Sequence, residues 1–362
     1  MPSENGASGI QYSVRGKARF STDVARVGWV DSLKGIGILL VVLGHALGGL
    51  IDAEAAPGST WLRPVFAAIY IFHMPLFFFL TGLFVARRVV GNPGRFRQQL
   101  FTQVAWPYFL WGGIQIIAIY LAGTMVNHPS GPLALAFLQM FHAPPSQFWF
   151  LYALFFLHGL SLLMGRNAAS PFYFLLLLAA GSIIEQQRLP GILQPLFQMA
   201  PFYGLGVFFG PLLLARAEWV RARIALLTIP LACAAGAVTM AYSIDLGVPG
   251  EWPEKAAFIA ADMWGFENFY AAITISAALI YLTHLLGSGA PRWLVYCGRQ
   301  TMPIFVMHIL FIASTRIFLL KFDPTMPIYF LLPLLCAVGI VMPLVAAVFA
   351  DRLGLSKWVG FR

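Results

Sequence analysis

The sequence predicts an all-α, polytopic integral membrane bundle of about ten transmembrane helices, with both ends of the chain in the cytoplasm. Of its 362 residues, 59% are hydrophobic and only 10% are charged, and the mean hydropathy is +0.78. Soluble globular domains carry about 25% charged residues. Apolar runs of about 17 to 25 residues, bounded by proline, glycine and charge, recur along the chain, and such runs are long enough to cross a bilayer.

These runs predict a membrane domain at 29–350 between two cytoplasmic tails, 1–28 and 351–362. The first tail contains no apolar run that could serve as a signal-peptide core. The short link at 166–169 makes its two flanking helices an antiparallel hairpin. An even number of helices returns the chain to the side on which it started. The predicted helices lie at 30–51, 64–86, 100–122, 148–165, 170–185, 195–215, 223–244, 268–287, 301–320 and 327–350.

The basic residues predict the orientation of the bundle. With both tails in the cytoplasm, all but five of the 23 lysines and arginines fall on the cytoplasmic side, as the positive-inside rule requires. The net charge of +9 therefore follows membrane topology and does not indicate a nucleic-acid partner. The basic residues left on the outer side are Arg63, Arg188, Lys255, Arg316 and Lys321.

Several chemistries have no signature in this sequence. The cysteines Cys233, Cys297 and Cys336 lack the spacing of a disulfide framework or of a metal site. Neither a glycine-rich phosphate loop nor a serine nucleophile elbow is present. Because no metal-ligand spacing is present, we expect no bound metal.

Lys34 and His45 lie on one face of the first predicted helix. The eleven steps between them turn the chain through about 1100°, three turns plus about 20°, and rise about 16 Å. Lys34 is thus placed near one membrane surface and His45 about half a bilayer deeper. Ionisable groups inside a membrane are costly and usually functional, and this stripe suits a ligand with an anionic head and a reactive tail. Asp31, one turn before Lys34, is predicted to pair with it.

Two motifs on consecutive helices resemble those of the membrane acyltransferase 3 family. The first is Asp31-x-x-Lys34, followed after ten residues by His45, and the second is Phe-His-Met-Pro-Leu-Phe-Phe at 72–78. The family includes fucose 4-O-acetylase-like proteins and the O-acetyltransferases of O-antigen and exopolysaccharide. Its members move acyl groups, commonly acetyl, onto sugars and other acceptors.

The resemblance implies an O-acetyltransferase of the bacterial cytoplasmic (inner) membrane that takes part in modifying cell-envelope polysaccharide. Acetyl-CoA would be its cosubstrate, with no tightly bound cofactor. A glycan or a lipid-linked sugar would be the acceptor, and membrane lipids would surround the bundle.

His45 and His73 are the predicted catalytic residues. They lie at similar depth on adjacent antiparallel helices, so that two imidazoles can face one cavity as base and partner. His45 would act as general base on the acceptor hydroxyl or form a transient acyl-imidazole, and the sequence allows either. A packing role for His73 is an equal alternative, because Pro75 frees a helix carbonyl that an imidazole can satisfy.

A basic collar on the cytoplasmic side is the predicted site for the phosphates of acyl-CoA, because guanidinium groups bind phosphate in bidentate fashion. Arg97 precedes the third helix in a run similar to the family's basic approach to that helix. His308 resembles a family histidine near the end of the domain and would contact the thioester or line the pore. Alternatively, loop arginines only set topology and contact lipid headgroups. The predicted donor-binding residues are Lys34, Arg88, Arg95, Arg97 and His308.

Gln147 and Trp149 open the fourth helix in a run that resembles a Trp-Phe-Leu element of the family. They are the predicted acceptor-binding residues, and the long outer segments 123–147 and 245–267 are candidates for an acceptor platform. An aromatic belt at the membrane interface explains the same residues equally well. Interfacial positions are expected for the remaining histidines, His128, His142, His158 and His284.

Two other functions use the same observations. A secondary transporter would also place lysine and histidine inside the membrane, although the sequence shows no inverted repeat and no matched pair of broken helices. A passive scaffold of a glycan-assembly complex would make Lys34 and His45 dispensable.

Overall fold

The structure is a computed structural model, which describes residues 28–55, 59, 61–128, 131–184, 193–215, 266–286 and 289–361. Every regular element in these ranges is helical, which confirms the all-α prediction. Two short apolar helices, Pro171–Gly181 and Phe269–Thr283, accompany seven segments that are long and apolar enough to cross a membrane. These seven are Gly28–Asp52, Leu62–Gly91, Pro93–Met125, Ser146–Ala169, Leu193–Leu214, Thr301–Phe322 and Ile328–Arg352.

The α-helices of the described residues are numbered in chain order. The first half of the chain contains α1 (Gly28–Asp52), α2 (Leu62–Gly82), α3 (Val85–Gly91), α4 (Pro93–Leu100), α5 (Trp106–Ala122), α6 (Leu133–Gln139), α7 (Trp149–Met164) and α8 (Pro171–Ile184). The second half contains α9 (Leu193–Ala215), α10 (Phe266–Leu286), α11 (Arg292–Arg299), α12 (Thr301–Phe322) and α13 (Ile328–Arg352).

The structure refines several predicted helices. The helix predicted at 100–122 begins earlier, because α4 continues into α5 through a π-helical turn at Phe101–Ala105. The helices predicted at 170–185 and 268–287 correspond to α8 and α10, which contain the two short apolar stretches. The helix predicted at 223–244 lies outside the described residues, as do the first tail up to residue 27 and the outer segment up to residue 265. The count of ten membrane spans and the cytoplasmic location of both chain termini therefore remain predictions.

Helix α1 packs against α2, α10, α11, α12 and α13. Two glycines let the backbones of α1 and α11 touch. A Cβ added at Gly35 would collide with the Leu294 carbonyl, and one added at Gly298 would collide with the Asp31 carbonyl. Small residues allow such close approach between membrane helices. The contact fixes α11 beside the first turns of α1.

The 353–361 segment, which follows α13, folds back onto α5. The Trp106 indole Nε1 donates a hydrogen bond to the Trp358 carbonyl at 2.7 Å. Phe361 stacks on Trp111, with ring centroids 5.8 Å apart and planes inclined by 11°. Through these contacts the end of the segment reaches a cavity inside the bundle.

Candidate active site

A cavity of about 380 Å³ lies between α1, α2, α3, α7, α11 and α12. Residues three or four apart along a helix share a face, so each helix lines the cavity with a stripe of side chains. Each stripe has a polar and an apolar end. The residues at the polar end are Lys34 on α1, Arg88 on α3 and His158 on α7. The residues at the apolar end are Val41 on α1, Phe77 on α2 and Phe150 on α7.

The polar end of the cavity carries positive charge. Lys34, Arg88 and Arg299 all line it. Arg299 Nε donates to Asp31 Oδ2 at 3.0 Å. Asp31 forms its salt bridge with Arg299 on α11, and its charge also acts on the Lys34 ammonium one turn away, as predicted, without a direct salt bridge between them. No described residue forms a salt bridge or hydrogen bond with the Lys34 ammonium, which leaves it available to an anionic ligand.

Two histidines lie one helical turn beyond the apolar end of the cavity, although they do not line it. Phe150 contacts Phe305, with ring centroids 5.5 Å apart, and Val41 lines the same cavity. His45 lies one turn beyond Val41 on α1, and His308 lies one turn beyond Phe305 on α12. The His45 and His308 rings are neighbours, with centroids 5.0 Å apart. A ligand that fills the cavity from the cationic end therefore points its far end at this pair.

His308 has one ring nitrogen that is bonded and one that is not. The ring is fully buried, and Nδ1 lies 3.0 Å from the Ile304 carbonyl and 2.8 Å from the Phe305 carbonyl. Carbonyls only accept, so Nδ1 carries the proton. Nε2 is buried without a hydrogen-bond partner among the described residues. Burying an unpaired acceptor is unfavourable, and the atom that satisfies it is expected to come from His45 or from a bound ligand.

His73 and His45 both contact the ring of Tyr70. The His73 Nδ1 donates to the Ile69 carbonyl at 2.7 Å. The Tyr70 ring lies 4.7 Å from the His73 ring and 6.3 Å from the His45 ring, both in edge-on contact. Among these rings, His308 has the shortest ring distance to His45, and His73 contacts Tyr70.

The other predicted site residues lie away from the cavity. Arg95 and Arg97 are exposed on α4 and do not line it. Trp149 stacks on Phe78, with centroids 5.9 Å apart. Gln147 is buried and exchanges two amide hydrogen bonds, of 2.9 and 3.1 Å, with Gln115. This pairing satisfies a polar group inside the bundle.

The sequence did not predict that Tyr70 lies at the candidate site or that His158 lines the cavity. Tyr70 lies three residues before His73, close enough along a helix to touch it. His158 was expected at an interface, but it is buried in the bundle and lines the cavity. Its spacing of eight residues from Phe150 was the available signal, because that spacing keeps both side chains on one helical face.

Neither a metal nor a cysteine nucleophile is evident in the described part of the chain. There, no group of three or more histidine, cysteine, aspartate or glutamate side chains could hold a metal ion. Cys297 on α11 is buried, and burial raises the pKa of its thiol. The thiol therefore stays protonated at neutral pH, and the thiolate is the nucleophilic form. The groups at the apolar end that can move a proton are the imidazoles.

Comparison with known proteins gives one family and two relatives. Residues 27–350 match the family of the acyltransferase domain, acyltransferase 3. The chain is 31% identical over 182 residues to the nodulation protein NolL of Sinorhizobium fredii. This alignment covers 49% of this chain and 47% of that protein. The chain is also 30% identical over 131 residues to NolL of Mesorhizobium japonicum. That alignment covers 34% of this chain and 32% of that protein. The matches thus span about half or less of each relative. No solved structure matches.

Proposed function

We propose a function from the premise that the chain belongs to the acyltransferase 3 family. The protein is a membrane O-acyltransferase that moves an acyl group, acetyl in the first instance, from cytoplasmic acyl-CoA to a hydroxyl of a glycan or lipid-linked sugar. The observation that carries this proposal is the cavity, which is cationic at one end, with the His45 and His308 pair one helical turn beyond its apolar end.

Acyl-CoA fits the polarity of this cavity. Its phosphates require cations, and Lys34, Arg88 and Arg299 line the polar end. Its pantetheine arm is long and less polar, and it would lie along the stripe from His158 to Phe150. The thioester would then reach His45. Acetyl-CoA enters as a cosubstrate, and the reaction needs no resident cofactor.

The chemistry assigned to His45 is proton transfer. The acceptor oxygen attacks the thioester carbonyl, the carbon–sulfur bond breaks, and CoA leaves as a thiol. His45 takes the proton of the hydroxyl and returns it to the departing sulfur. In the alternative route, His45 attacks the thioester carbonyl first, the carbon–sulfur bond breaks and CoA leaves as a thiol with the proton of the imidazole. The acceptor hydroxyl then attacks the acyl-imidazole, and its proton returns to the imidazole that is released.

His308 would hold His45 in its working tautomer. A bare His308 Nε2 can accept a hydrogen bond from an N–H of His45, which leaves the other His45 nitrogen unprotonated and directed at the acceptor. The same bond stabilises the imidazolium that forms during the reaction. The geometry therefore favours His308 over His73 as the immediate partner of His45.

The acceptor is assigned from the family and not from a described pocket. A hydroxyl arriving from the far side of the membrane would meet His45 within the bundle. The location in a bacterial inner membrane and the role in the cell envelope follow from the same proposal. Both matched relatives carry the name nodulation protein.

Inverted membrane vesicles supplied with acetyl-CoA labelled in the acetyl group test the proposal. The wild-type protein should transfer label to a carbohydrate-containing fraction, and His45→Ala and His45→Gln should lower that transfer by about a hundredfold to ten-thousandfold, the usual contribution of a general base. Glutamine keeps hydrogen-bonding capacity but takes up no proton at neutral pH. Near-native transfer by His45→Gln at equal protein level would refute an acid–base or nucleophilic role for the imidazole.

A further inference from the structure

His158 lies on the cavity wall with one ring nitrogen bonded and the other open. The side chain is 7% exposed and lines the cavity together with Arg88. Its Nδ1 lies 2.9 Å from the Tyr203 hydroxyl. Nε2 forms no hydrogen bond with a described residue, yet it is not enclosed by protein atoms. The open nitrogen therefore faces the space that a ligand would occupy.

Proton counting fixes the tautomer of His158. Ser161 Oγ lies 3.0 Å from the Leu157 carbonyl, 2.9 Å from the Tyr173 hydroxyl and 2.8 Å from the Tyr203 hydroxyl. The carbonyl only accepts, so Ser161 donates to Leu157 and both tyrosines must donate to Ser161. Tyr203 has then used its proton, and it accepts from His158 Nδ1–H. Nε2 of the neutral ring is therefore a hydrogen-bond acceptor.

We propose that His158 Nε2 accepts a hydrogen bond from an amide N–H in the pantetheine arm of the acyl-CoA donor. This inference rests on the function proposed above. His158 lies eight residues, about 12 Å, from Phe150 along α7, and hence at the polar end of the cavity. A ligand whose phosphates bind Lys34, Arg88 and Arg299 brings its first amides to this level.

The network around His158 also explains why the ring stays in place. Phe96 packs against it, with ring centroids 5.1 Å apart, and the Tyr203 hydroxyl holds Nδ1. Tyr203, Ser161 and Tyr173 are all fully buried. The site therefore presents a hydrogen-bond acceptor of fixed direction on the same cavity wall as Arg88. An acceptor binds an amide N–H and not a phosphate oxygen.

Purified protein in lipid nanodiscs allows the test. Binding of acetyl-CoA is measured by calorimetry, and binding of adenosine 3′,5′-bisphosphate, which has phosphates but no pantetheine amide, is measured in parallel. His158→Phe keeps a ring of similar size and removes the acceptor. We expect it to weaken acetyl-CoA binding by about tenfold, the equivalent of one lost hydrogen bond, and to leave bisphosphate binding unchanged.

Two tyrosine variants provide a matched comparison. Tyr203→Phe removes the group that orients His158, whereas Tyr173→Phe removes a hydroxyl from the same network without touching His158. Tyr203→Phe should weaken acetyl-CoA binding and add nothing to His158→Phe in the double variant. Tyr173→Phe should bind acetyl-CoA as the wild type does. Equal losses in the two single tyrosine variants would overturn the proposal in favour of a packing network.

The remaining outcomes separate this inference from the function on which it rests. If His158→Phe weakens both ligands equally, the partner is the nucleotide and the pantetheine assignment is wrong. If the wild type binds acetyl-CoA and His158→Phe binds it equally well, His158 is not a donor-binding residue. If the wild type binds no acetyl-CoA, both the donor assignment and this inference fail together.

Discussion

At the scale of single residues, the site depends on which histidine ring contacts His45. The stripe from Lys34 to His45 was predictable because it requires only the period of one helix. The contact between His45 and His308 joins helices separated by most of the chain, and the sequence supplied His308 only through a family resemblance. The ion pair of Asp31 with Arg299 spans 268 residues, and no local pattern could indicate it.

The first prediction compares His308→Phe with His73→Phe. Both changes keep a ring and remove a hydrogen bond to a carbonyl of the preceding turn. We expect His308→Phe to lower turnover by about tenfold to a hundredfold, the range for a lost hydrogen bond to a charged group, and His73→Phe to have a smaller effect. Turnover is measured in vesicles at saturating acetyl-CoA and normalised to protein level. A larger loss in His73→Phe would restore His73 as the partner of His45.

The second prediction concerns the cationic end of the cavity. Lys34→Ala should raise the KM for acetyl-CoA by about tenfold, because one charge-assisted contact to phosphate is lost, and Lys34→Arg should retain part of the affinity. Arg95→Ala is the control, since Arg95 is exposed and does not line the cavity. If Arg95→Ala raised KM as much as Lys34→Ala, general surface charge and not the cavity would bind the donor.

At the scale of elements, apolar periodicity predicted most described helices because membrane helices are long and uniformly apolar. It did not predict the π-helical turn at Phe101–Ala105 or the docking of the 353–361 segment on α5. Both depend on tertiary partners. The segment carries polar and aromatic residues beyond the last apolar run, so sequence patterns indicated no role for it beyond that of a tail. In the structure, Gly360 and Phe361 line the cavity.

The third prediction tests the 353–361 segment as a cavity wall. Phe361→Ala removes the ring that stacks on Trp111 and should admit water to the thioester. We expect a KM for acetyl-CoA raised severalfold and faster acceptor-independent hydrolysis to acetate and CoA. Trp358→Ala is the matched control, because its side chain is 73% exposed and its carbonyl bond to Trp106 survives the change. Unchanged hydrolysis in Phe361→Ala would show that the wall does not exclude water.

At the scale of the whole molecule, the proposed direction of donor entry depends on which compartment the cationic end faces. Lys34 near the start of α1 and Arg88 on α3 line the cationic end of the cavity, and Phe361 after α13 lines the same cavity. The excess of basic residues predicts that the cationic end faces the cytoplasm.

The fourth prediction concerns this orientation. A fluorescent reporter inserted at Asn92, an exposed residue between α3 and α4, should fold in the cytoplasm, and a phosphatase inserted at Gly131, exposed before α6, should be active outside. The span Pro93–Met125 separates the two sites, so opposite compartments are required of any correct topology and serve as the internal control. The converse result, phosphatase activity at Asn92 and fluorescence at Gly131, would place Lys34, Arg88 and Arg299 on the outer side. Cytoplasmic acyl-CoA could not then reach the cavity from its cationic end.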